Sequence, residues 1–143
     1  MAKRTDNEYT RAFQEAVLKA FAPLIAEYNL SLKHLESGNI ELISEQCVLL
    51  VGRDYRDIGI GIRPIRADQV PKPRPGIPIT CSLYEIIRYL NPDIQIQYGY
   101  FDTPAGMLPA CELLAGYVRQ YCKPMLGGDF SLWPKLLERR GKD

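Results

Sequence analysis

Cys47-Val-Leu-Leu-Val-Gly-Arg53 and Asp57-Ile-Gly-Ile-Gly-Ile-Arg63 decide the fold, with Asp54-Tyr55-Arg56 between them. The first run is apolar at successive positions, the pattern of a central strand covered on both faces. The second alternates strictly: Ile58, Ile60 and Ile62 share one face, and Gly59 and Gly61 share the other. A connection this short makes the two runs an antiparallel hairpin. Upstream, residues 30–36 and 39–45 read as two further strands around the turn signal Ser37-Gly38-Asn39. Residues 30–63 therefore predict an antiparallel meander.

Before the meander the period changes. Ala12, Phe13, Ala16, Val17, Ala20, Phe21, Leu24, Ile25 and Tyr28 recur at i, i+3, i+4 spacing, which predicts a helix with one apolar face. Thr5, Asp6 or Asn7 suits its N-cap. Pro23 removes one helical hydrogen bond near the end, and Asn29 suits the terminator. After the meander, Ser82-Leu-Tyr-Glu85 has the form of a capping box ahead of Ile86, Ile87, Tyr89 and Leu90, with Asn91-Pro92 as the stop. Residues 94–100 alternate Ile94, Ile96, Tyr98 and Tyr100 with Gln95, Gln97 and Gly99, fitting a strand or an extended edge segment. A helix over about 107–123 and an amphipathic one around Leu132, Trp133, Leu136 and Leu137 complete the chain, the last capped by Asp129 or Ser131. Its Arg139, Arg140 and Lys142 complement the helix dipole. The fold class predicted is α+β: a single domain over residues 1–143, with the N-terminal helix on a meander of three to five strands, followed by two or three helices.

Composition narrows function mainly by exclusion. Eighteen Lys and Arg stand against seventeen Asp and Glu, for a net charge of +1. No acidic tail or basic arm is present, which argues against nucleic acid as the main partner. No apolar run approaches the roughly 20 residues of a membrane helix, and the polar N-terminus lacks the apolar stretch of a signal peptide. The four cysteines, Cys47, Cys81, Cys111 and Cys122, show no C-x-x-C spacing and read as reduced, buried apolar residues without metal, which suits the cytoplasm. His34 is the only histidine and reads as a partly buried strand residue, so no catalytic triad and no metal site is expected. Gly59-x-Gly61 lies inside a strand and lacks the third glycine that opens a helix, so it is no nucleotide fingerprint. Absent side chains there let a neighbouring backbone or bulky group approach that face. No cofactor is implied.

One segment is compositionally unusual. Residues 64–78 hold five prolines and favour extended structure over regular elements. With Arg63, its cations Arg66, Lys72 and Arg74 face a single acid, Asp68. This predicts an exposed basic loop able to bind a small anionic ligand or nucleic acid. Tyr55, Tyr98 and Tyr100 are the alternative surface, since exposed tyrosines anchor protein–protein contacts. An enzyme would need Asp54, Asp57 or Glu85 to meet in a cleft.

The run Tyr121-Cys122-Lys-Pro-Met125-Leu126-Gly127-Gly128-Asp129-Phe130-Ser131-Leu-Trp133 resembles the tail of small bacterial α+β proteins of the immunity type from polymorphic-toxin systems. The hairpin Val51–Ile58 and the order of elements fit the same outline. The resemblance implies a non-enzymatic cytoplasmic protein that binds and blocks a toxin domain. Immunity proteins that face basic nucleases are commonly acidic, and this chain is near neutral. The expectation is therefore a protein-binding module, with the basic loop and a small enzyme as the competing readings.

Overall fold

The computed structural model describes the backbone of residues 2–71 and 79–142, and the side chains of 8–71 and 79–140. The meander is present: β1 (Ser31–His34), β2 (Ile40–Ile43), β3 (Cys47–Asp54) and β4 (Asp57–Pro64) pair antiparallel in chain order. Two further strands, β5 (Cys81–Ser82) and β6 (Gly99–Tyr100), both pair with β4, bringing the sheet to six. They share the edge of β4 that faces away from β3. Cys81–Ser82 lies beside Ile62 and Gly61. Gly99–Tyr100 lies beside Ile58 and Asp57.

The helices are α1 (Ala2–Tyr28), α2 (Leu83–Leu90), α3 (Met107–Tyr121), the single turn α4 (Lys123–Leu126) and α5 (Trp133–Lys142). Register sorts the two sheet faces. Ile40, Leu42, Leu49, Val51, Ile58, Ile60 and Ile62 point toward the helices and are buried. They join Phe13, Val17, Phe21 and Leu24 of α1, and Met107, Cys111, Leu114 and Val118 of α3, in one core. Arg53, at an inward position opposite Ile58, lies over the ring of Tyr9, which places α1 on this face. The other face carries Glu41, Leu50, Gly52, Asp54, Asp57, Gly59, Gly61 and Arg63.

Local expectations fare unevenly. Ser82 Oγ accepts from the Glu85 N–H at 3.1 Å and Glu85 returns the bond to the Ser82 N–H at 2.9 Å, the reciprocal capping box. Asn29 ends α1 in the left-handed region at φ 54°. The start of α1 differs: Ala2, Lys3 and Arg4 are themselves good helix formers, so the helix begins ahead of Thr5. Residues 94–98 are not a strand; the Gln97 N–H donates to the Tyr117 hydroxyl at 3.1 Å, and only Gly99–Tyr100 enters the ladder. The third helix stops at Tyr121, and Pro124 falls in the first turn of α4 instead of marking the end of its predecessor. Asp129 Oδ1 accepts from the Ser131 N–H at 2.9 Å, so it caps the turn before α5 and not the helix. His34 is exposed, because the edge strand β1 carries its inward position beyond the helical cover. Residues 67–69 form a 3-10 turn within the proline-rich stretch, closed by Gln69 Oε1 accepting from the Arg66 N–H at 2.7 Å.

Candidate functional surface

Three strands meet at one corner of the sheet. Asp54 of β3 is directly opposite Asp57 of β4, and Asp57 is directly opposite Tyr100 of β6. Directly opposed residues point to the same side, so Asp54, Asp57 and Tyr100 form a row on the face away from the helices. Beside this row Gly52 opposes Gly59, and Gly61 follows. The missing side chains leave a shallow groove of about 310 Å³, bordered by Asn39, Leu50, Asp54 and Asp57. A side chain at Gly59 would meet nothing within 4 Å, whereas Gly61 is covered by the Thr80 methyl. The expected close approach therefore occurs at Gly61 and not at Gly59. Asn39 holds the groove's far wall by accepting from the Arg53 N–H at 3.2 Å.

Burial, then the charge of Asp54 across the ladder, push the Asp57 carboxyl above its ordinary value, partly countered by a bond from the Ile58 N–H. Its Oδ1 is occluded and has no hydrogen-bond partner. Two of the three carboxylates named from sequence thus meet. Glu85 does not join them: it sits on α2, where burial raises its carboxyl but Arg140, the Ser82 N–H and the Arg88 charge together hold it below the usual range. Asp54 and Asp57 border a shallow groove in which one Asp57 oxygen is shielded from water while the outer side stays open.

The tyrosines converge on the same corner. Tyr84, Tyr98 and Tyr100 follow one another with ring centroids 4.8 and 5.7 Å apart. The Tyr84 hydroxyl donates to the Ile58 carbonyl at 3.3 Å and accepts from the Gly99 N–H at 3.1 Å, so it ties β4 to β6. Arg88 donates to the Tyr98 hydroxyl at 2.9 Å. Tyr55 occupies the β3–β4 turn, 78% exposed, with the Arg56 guanidinium over its ring. Its φ is 54°, in the left-handed region that two-residue hairpin loops normally assign to Asn, Asp or Gly. Tyr55, Tyr98 and Tyr100 are three of the five exposed large hydrophobic residues among those described.

The basic set is dispersed. Arg63 lies at the far end of β4, about 20 Å from Asp57 at the rise of an extended strand, and pairs with Glu41 at 3.7 Å. Arg66 pairs with Asp68 at 3.3 Å. Lys72 and Arg74 lie outside the described residues. In the described part of the segment, Arg66, Asp68 and Pro71 are exposed but Pro64 is buried.

Asp57, Asn39, Gly59 and Tyr84 are surface-forming residues that sequence reading did not assemble. The alternating glycines were the visible signal; the tyrosine row needed the long-range pairing of β6. The four cysteines are free and buried. Among the described residues no group of three or more His, Cys, Asp or Glu is placed to hold a metal ion, and no helix is long and apolar enough to cross a membrane. Comparison with protein-family models, curated proteins and solved structures gives no match.

Proposed function

We propose that this protein is a non-catalytic protein-binding module that docks its partner on the tyrosine corner, acting in the bacterial cytoplasm as an immunity-type inhibitor of a toxin domain. The observation that carries the docking surface is Tyr55. A left-handed tyrosine costs on the order of 1–2 kcal/mol relative to a residue at ease there. The ring is 78% exposed, so burial in the core does not offset that cost. Tyr98 and Tyr100 extend the same surface, and tyrosine supplies large contact area at low entropic cost. The glycine-floored groove admits a partner side chain, and Asp54, Asp57 and Asn39 supply polar partners at its margin. The toxin-blocking role rests on the sequence resemblance, and the docking surface on this geometry.

Affinity capture from the native host with wild-type, Tyr55→Gly and Tyr100→Ala baits tests the proposal. Glycine relaxes the turn, so Tyr55→Gly folds at least as stably as wild type. The expected result is one protein retained in fixed ratio by wild type and lost from both variants, with the purified partner inactivated by wild type alone. Retention by both variants would place the interface elsewhere. Recovery of nucleic acid instead of protein would overturn the binding-module reading.

A further inference from the structure

A second concave surface lies between α2 and α5. Glu85 and Arg88 are three apart on one helix, and Leu136, Arg139 and Arg140 stand at i, i+3 and i+4 on the other, so each set shares a face. Together they line a cavity of about 210 Å³. Arg88, Arg139 and Arg140 line it together with one carboxylate, and that carboxylate is already used. Glu85 Oε2 accepts from Arg140 Nε at 2.9 Å, and Oε1 accepts from a second Arg140 nitrogen and from the Ser82 N–H. Arg140 also donates to the Thr80 carbonyl at 3.0 Å, which fixes its plane. Arg88 donates to a neutral phenol, the Tyr98 hydroxyl, and keeps its charge. Neither Arg88 nor Arg139 forms an ion pair among the described residues. Arg56, Arg63 and Arg66, by contrast, each pair with a carboxylate.

The helix dipole accounts for cations near the end of α5. Arg88 stands in the last turn of α2, where the same effect favours a cation; what neither dipole requires is that the two helix ends turn their arginines to one cavity. We infer that the α2–α5 cavity is a binding site for a phosphoryl group, held by Arg88 and Arg139 over the apolar floor of Leu136, with the Glu85–Arg140 pair as its fixed wall. Two unneutralised guanidiniums match the charge of about −1.5 to −2 that a phosphoryl group carries at pH 7. Their planar forks suit its oxygens. This site adjoins the tyrosine corner through the Arg88–Tyr98 hydrogen bond but does not depend on that surface's role.

The test is a backbone amide NMR titration of the full chain at constant ionic strength, pH 7.5, with inorganic phosphate and separately with phenyl phosphate. Saturable shifts centred on Arg88, Leu136 and Arg139 are expected. R139Q replaces a guanidinium that has no ion pair with a neutral amide, leaves the fold intact and weakens binding by about tenfold. R119Q, which removes an exposed charge of α3 outside the cavity, changes nothing. Binding falls between pH 7.5 and 5 as the phosphoryl group loses its second charge, at a pKa near 6 for the ester and somewhat higher for inorganic phosphate. Tighter binding of phenyl phosphate identifies an ester-borne group resting on Leu136; equal binding identifies free phosphate. Non-saturating shifts with both probes, an unchanged affinity in R139Q, or equal losses in R139Q and R119Q would overturn the site.

Discussion

Gly99 and Gly59 look alike in sequence, each inside an alternating stretch, yet the structure separates them. A methyl group on Gly99 would fall on the carbonyl oxygen of Ile58, its ladder partner, and 3.0 Å from Leu114 Cδ1. Backbone does not swing aside as a side-chain tip does, so β6 must move off β4. Overpacking of this kind costs about 1–3 kcal/mol, and loosening the ladder at Ile58 and Asp57 adds roughly 0.5–1.5 kcal/mol per bond lost. Gly99→Ala is therefore expected to destabilise by about 3 kcal/mol, within the 5–15 kcal/mol of a typical domain. Gly59→Ala meets open space and removes the entropic cost of glycine in a strand, a gain of about 0.5 kcal/mol. With a urea slope of about 2 kcal/mol/M, the midpoint falls by about 1.5 M for Gly99→Ala and rises by about 0.3 M for Gly59→Ala. Urea denaturation followed by tryptophan fluorescence reads both, since Trp133 is fully buried. A neutral Gly99→Ala, or a Gly59→Ala that destabilises by more than about 1 kcal/mol, would refute the register assigned to β4 and β6.

Asp57→Asn should stabilise the protein at neutral pH by about 0.5–1 kcal/mol, by removing a directly opposed like charge. The native carboxyl is raised above its ordinary value of 3.8, so the unfavourable term is absent below that value and grows as pH rises through the native pKa. Urea midpoints of the two proteins should thus converge below pH 4; a constant gap would show that charge is not the cause. Trp133→Phe leaves the Ile79 carbonyl, now 2.8 Å from the indole N–H, without its donor and should cost about 2 kcal/mol, read as a thermal midpoint shift. Burial pushes the Cys81 and Cys111 thiols up to about 12, helped respectively by the charges of Glu85 and Glu112, and raises Cys47 and Cys122 as well. Mass spectrometry after iodoacetamide at pH 8 should find an unlabelled native chain and four labels in guanidinium, because the thiolate fraction at a pKa of 12 is about 10⁻⁴; rapid native labelling would contradict the buried placement.

Elements that a few neighbouring residues determine were readable in advance. The isoleucine alternation of β4 and the Ser82–Glu85 capping box are of this kind, since side-chain period and cap chemistry act over three or four positions. The two-residue strands β5 and β6 carry no period of their own and exist only because β4 offers them an edge. The same limit applies to charge. Arg63 reads as unopposed along the chain, but its partner Glu41 arrives from β2 across the sheet. The cavity arginines Arg88 and Arg139 come from helices far apart in sequence and close in space. Tyr55 was visible as an exposed aromatic; that it bears a strained backbone emerges only from its φ.

The divided edge of β4 has a consequence during synthesis. Chains emerge N-terminus first, and the ladder from β1 to β4 pairs neighbours in sequence, so it can close early. Until residues 81 and 99 leave the ribosome, the second edge of β4 is bare: an eight-residue strand carrying Ile58, Ile60 and Ile62, the profile of a template for another chain. The features that shape the outer face also guard that edge. Gly59 and Gly61 weaken its capacity to recruit a foreign strand, and Asp57 beside Asp54 places two like charges where an intruding copy would bring two more. The carboxylates that cost stability in the finished protein thus stand where charge opposes pairing with another chain, and the arrival of Tyr100 opposite Asp57 covers that edge.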